Sequence, residues 1–376
     1  MYLFYRKVVM NNLINTTLVT ACFDMTPYNS NARSVQETIQ GLEIVLKIPT
    51  YLIIHTDSTY IEHIKRMRKE YGFDALTLYI EDTYDQLWAA KYTNIVNKNR
   101  EKFWPTRDNR TCTQSHLLCC NKFDFVQEAI KTNPFQTDRF GWIDGSLYIG
   151  KSDTIKICEN YATHMVPYVL SQIQDQKFHI QILNVNDKKY LLKENKHEFY
   201  EQYRWVVCGS FFVCGAEIGM KILDRLKQIM VTSTLDGFGH AEEMFFLEVL
   251  EEFPDDIVRS YGDYNQILNN FIHPTKHIWY IVEYIAKGYH QLGYYQECMD
   301  CCDSLLYSYD NFLLPMDYTL YMRILSLYYM SIVKMNDAND NKDLGKKESQ
   351  ITQKISKFCE VDSNAKFVWD NMLETL

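Results

Sequence analysis

The string Phe140-Gly141-Trp142-Ile143-Asp144-Gly145-Ser146 carries a carboxylate from a short apolar run directly into a turn. An acid placed there stands at the rim of a sheet, where a hard divalent cation, Mg²⁺ or Mn²⁺, could share it with phosphate oxygens. Aspartate also caps turns with no chemistry attached, so the pattern alone leaves both readings open. A second acidic pair, Glu242 and Glu243, sits in Gly239-His240-Ala241-Glu242-Glu243-Met244-Phe245-Phe246. Acids at a helix start are favoured by the helix macrodipole, which is a purely structural use. The apolar run that follows must be buried, however, so one of the two faces a cleft or a partner. There it could take the proton of a hydroxyl as a general base. Further along, His273-Pro274-Thr275-Lys276-His277 offers an imidazole to complete a metal shell and an ammonium to meet phosphate. Loop histidines more often do neither.

These residues need a scaffold, and the first half of the chain supplies one. Thr17 to Phe23 reads as a buried strand ending at Asp24, and Arg33 to Lys47 as a helix with Val35, Ile39, Leu42, Val45 and Leu46 on one face. Tyr51 to His55 is a second strand closed by Thr56-Asp57-Ser58, with Ser58 as N-cap of a helix from Thr59 to Tyr71. Leu76 to Ile80 is a third strand. A β-α-β-α-β order implies right-handed crossovers and a parallel sheet with helices on both faces. Ligands bind outside the carboxyl ends of such strands, where Asp24 and Asp57 lie. Residues 82–112 read as a helix and a long loop over the site, Ser115 to Lys131 as a helix, and Phe178 to Leu183 and Trp205 to Val213 as further strands. Helices follow from Gly215 to Met230 and from His240 to Glu252. After about residue 272 the strand pattern stops, which gives a sheet domain over 1–272 and a helical domain over 273–376. In the latter, Gly288-Tyr289 and Gly293-Tyr294 fall where a tetratricopeptide-like unit places its small and large packing residues.

Composition narrows the function classes. The net charge is −9, and no lysine–arginine block forms the basic face that nucleic acid requires. The densest run, Lys65-Arg66-Met67-Arg68-Lys69, reads as a solvated helix face. An acidic protein that binds an anion must create local positive charge with a metal or a few placed cations. The 11 cysteines lack zinc spacing, and Cys298, Cys301 and Cys302 fall on one helical stripe, so they read as reduced core thiols in a reducing, cytoplasmic compartment. No secretion signal and no apolar run of spanning length is apparent.

Taken in order, Leu18-Val19-Thr20-Ala21-Cys22-Phe23-Asp24, Asn133-Pro134-Phe135 leading into Phe140-Gly141-Trp142-Ile143-Asp144-Gly145, Cys208-Gly209-Ser210-Phe211-Phe212, Gly239-His240-Ala241-Glu242-Glu243 and Tyr261-Gly262-Asp263-Tyr264 resemble the bacterial HtrL/YibB-type family of predicted glycosyltransferases. The resemblance covers about residues 16–272. It implies an α/β fold of the GT-A-like type, a mixed sheet flanked by helices, with an all-α C-terminal extension. It further implies a nucleotide-sugar donor, a UDP-sugar first, held at Thr20, Ala21 and Asp57 with Lys276, and a Mn²⁺ or Mg²⁺ ion on Asp144 with His273. Glu243 or Glu242 would then face the reacting sugar, and the acceptor would be a glycan, a protein or a small molecule. One departure matters: such enzymes usually present two aspartates one residue apart, whereas here the sequence is Asp144-Gly145-Ser146.

Two other readings follow from the residues. The missing second aspartate would suit a transferase-like binding protein acting through its helical domain, which could also receive a protein partner or a second copy. Asp24 at the end of the first strand suits a haloacid-dehalogenase-like phosphatase, but the acid/base position two residues on is Thr26.

Overall fold

The structure is a computed structural model. It describes residues 15–102, 108–145, 159–201, 205–239, 242–264, 267–272, 279–311, 317–336 and 342–373. They form two compact units: residues 1–181 with 188–259, and residues 182–187 with 260–376. Residues 260–272 therefore group with the helices that follow them.

The first unit is built on a mixed sheet. Its strands are β1 (Thr16–Cys22), β2 (Tyr51–Thr56), β3 (Thr77–Glu81), β4 (Arg139–Ile143), β5 (Phe178–Ile182), β6 (Val207–Gly215) and β7 (Ile257–Tyr261), in the order β3-β2-β1-β4-β6-β5-β7. β1 runs parallel to β2 and to β4, β2 runs parallel to β3, and β4 is antiparallel to β6. The central strands are buried along almost their whole length, as strands covered on both faces must be. That burial explains their unbroken apolar runs. Gly141 is required on β4 because a Cβ there would lie 2.4 Å from the Phe212 carbonyl oxygen.

Helices α1 (Val35–Leu46) and α2 (Ile61–Glu70) make the first two crossovers, followed by α3 (Thr93–Arg100) and the long α4 (Thr113–Thr132). Ser34 caps α1 in a reciprocal box with Glu37. α2 starts at Ile61 with Tyr60 at its cap, and the expected cap from Ser58 is not made. α4 packs over β1 and β4 and against α7 (Ala216–Leu235), so it is buried around most of its circumference. α5 (Glu159–Gln172), α6 (Lys196–Glu201) and α8 (Phe246–Glu252) complete this unit. The helix expected from His240 is replaced by a short 3₁₀ turn at Glu242–Met244 followed by α8. Strand β7 has no counterpart among the strands the sequence suggests.

The basic run on α2 is not all solvated. Arg68 is fully buried, and its guanidinium donates to the carbonyl oxygens of Leu46 (2.8 Å), Ile48 (2.9 Å) and Thr50 (3.1 Å) and to Thr77 Oγ1 (2.7 Å). A cation there closes the C-terminal end of α1, where unpaired carbonyls and the dipole favour positive charge. Burial pulls its pKa down to about 10, which still leaves it charged at neutral pH. Arg68→Met should cost about 2–3 kcal/mol in chemical denaturation, because buried carbonyls lose their donor. A shift below about 0.5 kcal/mol would show that water replaces the guanidinium.

The second unit is helical: α9 (Trp279–Gln291), α10 (Tyr295–Asp310), α11 (Tyr318–Asn336), α12 (Lys342–Val361) and α13 (Ser363–Leu373) pack in succession. The break between α9 and α10 falls at Gly293, whose φ of +79° suits glycine. Gly288 is needed for close packing, since a Cβ would meet Val185 Cγ2 at 2.4 Å. Cys298, Cys301 and Cys302 are wholly buried and reduced. Among the described residues no helix is long and apolar enough to cross a membrane.

Candidate active site

The sheet order places a topological switch beside β1. The chain leaves β1 toward β2 and β3 on one side, then returns to add β4 on the other. The two parallel strands at that switch end at Cys22 and Ile143, and loops that depart in opposite directions open a crevice between them. A cleft of about 470 Å³ lies there, lined by Ala21, Cys22 and Phe23 after β1 and by Asp144 and Gly145 after β4. Its volume is that of a small-molecule site, roughly 300–1,000 Å³. Gly145 fits the narrow floor: a Cβ would come within 3.1 Å of Leu42, 3.2 Å of the Ala21 carbonyl and 3.4 Å of Thr20 Oγ1.

Asp144 is thus at the cleft, with about 30% of its side chain exposed. Its backbone N–H donates to the Ser210 carbonyl at 2.9 Å, which ties the turn to β6. Its Oδ1 accepts from the indole Nε1 of Trp142 at 2.5 Å and lies 3.4 Å from Lys122 Nζ. Lys122, on α4, is 1% exposed and also donates to Glu242 Oε1 at 2.5 Å and to the Gly209 carbonyl at 3.0 Å. Its ammonium lies 5.3 Å from the Trp142 ring centre. Burial opposes the charge, but Asp144 and Glu242 outweigh that and hold the lysine well above its ordinary pKa. Behind Trp142 the aromatic stack continues through Phe125 at 6.4 Å to His55, which lies 4.0 Å from Phe125.

Gly209, in the Cys208-Gly209-Ser210 string, leaves room for this cluster. A Cβ there would stand 2.9 Å from Glu242 Oε1 and 3.3 Å from Lys122 Nζ. Gly209→Ala should push the lysine–glutamate pair apart and cost about 1–2 kcal/mol in thermal or urea unfolding. Unchanged stability would mean the pair has slack.

The lining of the cleft also carries further cations. Arg33, Arg100 and Arg110 belong to it, with His116 and Asp108. Arg100 is braced by the Cys112 carbonyl at 2.8 Å and Thr111 Oγ1 at 3.3 Å, and Arg110 forks onto Asp108 through Nε at 2.8 Å and Nη2 at 2.5 Å. With Lys122, four cations line the cleft, against the carboxylates of Asp108 and Asp144 among the described residues, in a chain with net charge −9.

The other expected residues fall as follows. Ala21 lines the cleft, while Thr20 is fully buried with its hydroxyl unpaired among the described residues. Asp57 accepts the Asp24 N–H at 2.6 Å and the Thr59 N–H at 2.9 Å, which staples the ends of β1 and β2. Glu242 turns inward to Lys122. Glu243 is half-buried and accepts the Gly209 N–H at 3.1 Å, and neither acid lines the cleft. Asp24 Oδ1 accepts from the Thr26 amide and hydroxyl at 2.9 and 2.7 Å, which holds the acid of the phosphatase reading in a local turn. Ser146, His273 and Lys276 lie outside the described residues.

Of the two residues expected to hold a divalent cation, Asp144 is described and His273 is not. Among the described residues no three acids, histidines or cysteines converge on a metal position. Asp144 offers a single oxygen, Oδ2, because Oδ1 already accepts from Trp142 and faces an ammonium. Lys122 and the arginines of the cleft were not anticipated. Lysine on a helix among Leu117, Cys120, Asn121 and Phe123, all buried, was the one available signal, since an unpaired ammonium does not persist there.

Fold and site together define an α/β protein with a mixed sheet, a helical C-terminal unit and a charged cleft at its switch point. The chain belongs to the HtrL_YibB family, described as bacterial proteins of unknown function, whose profile matches residues 14–216. A crystal structure of mouse xyloside xylosyltransferase 1 in its apo form is similar at a TM-score of 0.33 and 11% identity, covering 65% of this chain and 85% of that one. No curated protein sequence matches.

Proposed function

We propose that this chain is a glycosyltransferase that moves a sugar from a nucleotide-diphosphate donor to an acceptor hydroxyl. The observation that carries the reading is the charge gathered in the lining of the switch-point cleft, where Arg33, Arg100 and Arg110 occur together with Asp144. Guanidinium forks match diphosphate oxygens and act strongly in a site sheltered from water. As the bond to the anomeric carbon breaks, charge grows on the departing phosphate, and cations held in advance stabilise it most. Asp144 Oδ2 points the other half of the chemistry at hydroxyl groups, accepting hydrogen bonds from the donor sugar and fixing its orientation. Glu242 acts at one remove, by holding Lys122. Cleft volume and strand-end location both suit a nucleotide.

The test is a thermal-shift panel of nucleotide sugars, each followed by release of the nucleoside diphosphate. A ligand of the native state raises its stability by mass action, so a true donor at 100 times its Kd adds about 2.7 kcal/mol. One nucleotide sugar that stabilises the protein and is turned over supports the assignment. A flat panel at millimolar concentrations, with Arg110→Ala indistinguishable from the parent, would defeat it.

A further inference from the structure

We infer that Lys122 holds the place beside Asp144 that a divalent cation would otherwise take, so that the cleft binds its diphosphate with lysine and arginine charge alone. The ligand named here rests on the transferase reading; the arrangement of charges does not.

A hard dication requires several oxygen ligands that are not already committed. Here each nearby carboxylate is engaged. Asp144 Oδ1 accepts from the Trp142 indole and faces Lys122 at 3.4 Å. Glu242 Oε1 accepts from Lys122 at 2.5 Å, and Glu243 Oε1 accepts from the Gly209 amide at 3.1 Å. The ammonium itself is anchored from three directions, by the turn after β4, by β6 and by the 3₁₀ turn at Glu242, and it is 1% exposed. It is a fixed charge rather than a mobile side chain. A dication seated on Asp144 would meet that fixed charge as a like charge at close range.

The positive charge a metal would bring is also present by other means. Arg33, Arg100 and Arg110 line the same cleft. Their guanidinium groups are charged at neutral pH, Arg100 included although burial pulls it down to about 10, and need no dissociable ion to complete the site. Lys122 then has two effects: it offsets part of the negative charge of Asp144 and Glu242, so that the site repels a diphosphate less, and it competes with a dication for Asp144.

The experiment uses the intact protein, with inorganic diphosphate and Mn²⁺ alone as probes. Calorimetry should give a diphosphate affinity in EDTA within about threefold of that in Mg²⁺, after allowance for the Mg²⁺–diphosphate complex. Manganese added alone should show no bound signal by electron paramagnetic resonance below about 1 mM. In Lys122→Met, and in the charge-balanced Lys122→Met with Glu242→Gln should the single variant fail to fold, diphosphate should bind at least tenfold more weakly in EDTA. The same variant should acquire a Mn²⁺ signal as Asp144 is released, and Lys122→Arg should restore metal-free binding. A purely structural lysine would not move the metal requirement. Diphosphate binding that appears only with Mn²⁺, or stoichiometric Mn²⁺ uptake by the parent, overturns the inference and leaves a metal-dependent transferase. Absence of binding by inorganic diphosphate and by every nucleoside diphosphate, with and without metal, removes the transferase reading and the inference with it.

Discussion

Asp144→Ala is expected to reduce nucleoside diphosphate release by about 10²–10³-fold while the protein stays folded, the scale seen when one preorganised polar group is removed from a reacting centre. The reasoning runs through geometry. Asp144 is the carboxylate at the carboxyl end of β4 that faces the cleft, and its backbone is fixed independently by the Ser210 carbonyl. Alanine therefore keeps the turn and removes only the carboxylate. It also leaves the Trp142 indole and part of Lys122 without an acceptor, at a cost of about 1–2 kcal/mol because the site is partly open to water. Asp144→Asn separates the two contributions, since its amide oxygen can still accept from Trp142 while the charge is gone. Steady-state turnover at saturating donor, read beside the urea midpoint, distinguishes lost chemistry from lost fold. Full turnover in a folded Asp144→Ala protein would show that the acid only shapes its turn.

Glu242→Ala should destabilise the sheet domain by about 3–5 kcal/mol, because it removes the nearest partner of a buried ammonium. Lys122 is 1% exposed and Glu242 7%, and without its 2.5 Å partner the ammonium keeps only the Gly209 carbonyl at 3.0 Å and Asp144 at 3.4 Å. Glu242→Gln should cost less, since it keeps an acceptor in place. Replacing both members with apolar residues, Lys122→Met with Glu242→Leu, should recover most of the loss, because neither charge then remains to be solvated. The pH dependence has a definite sign. The folded pKa of Lys122 lies above its unfolded value of about 10.4, so its stabilisation is complete below that pH and is lost only as the pH rises through the folded value. In the parent that contribution should therefore be equal at pH 6 and pH 8 in urea unfolding, whereas in Glu242→Ala burial now pulls the lysine the other way and the penalty should not grow toward pH 8. A penalty under about 1 kcal/mol at both pH values would mean the ammonium reaches water.

Several parts of this protein were legible in its residues because their causes are local. The β-α-β-α-β order follows from periodicities of a few residues, the turn at Asp144 from glycine chemistry, and the helix break at Gly293 from a backbone angle that favours glycine. Cys298, Cys301 and Cys302 were readable as one buried helical stripe for the same reason. Where several turn geometries compete over two or three residues, local reading went astray, as with the unmade cap at Ser58 and the 3₁₀ turn at Glu242.

Tertiary structure alone decided which charged groups are buried and what they meet. Nothing near Arg68 distinguishes it from Arg66, yet one is sealed over four acceptors and the other is exposed. Lys122 finds Glu242 across 120 positions and Gly209 across 87, and the arginines at 33, 100 and 110 meet only because the sheet reverses its order at β1. A helix or strand is specified by neighbours within a turn or two, whereas the field in a cleft is a sum over groups brought together by folding. For that reason the sequence showed where a site would open, and only the folded chain showed which charges stand around it.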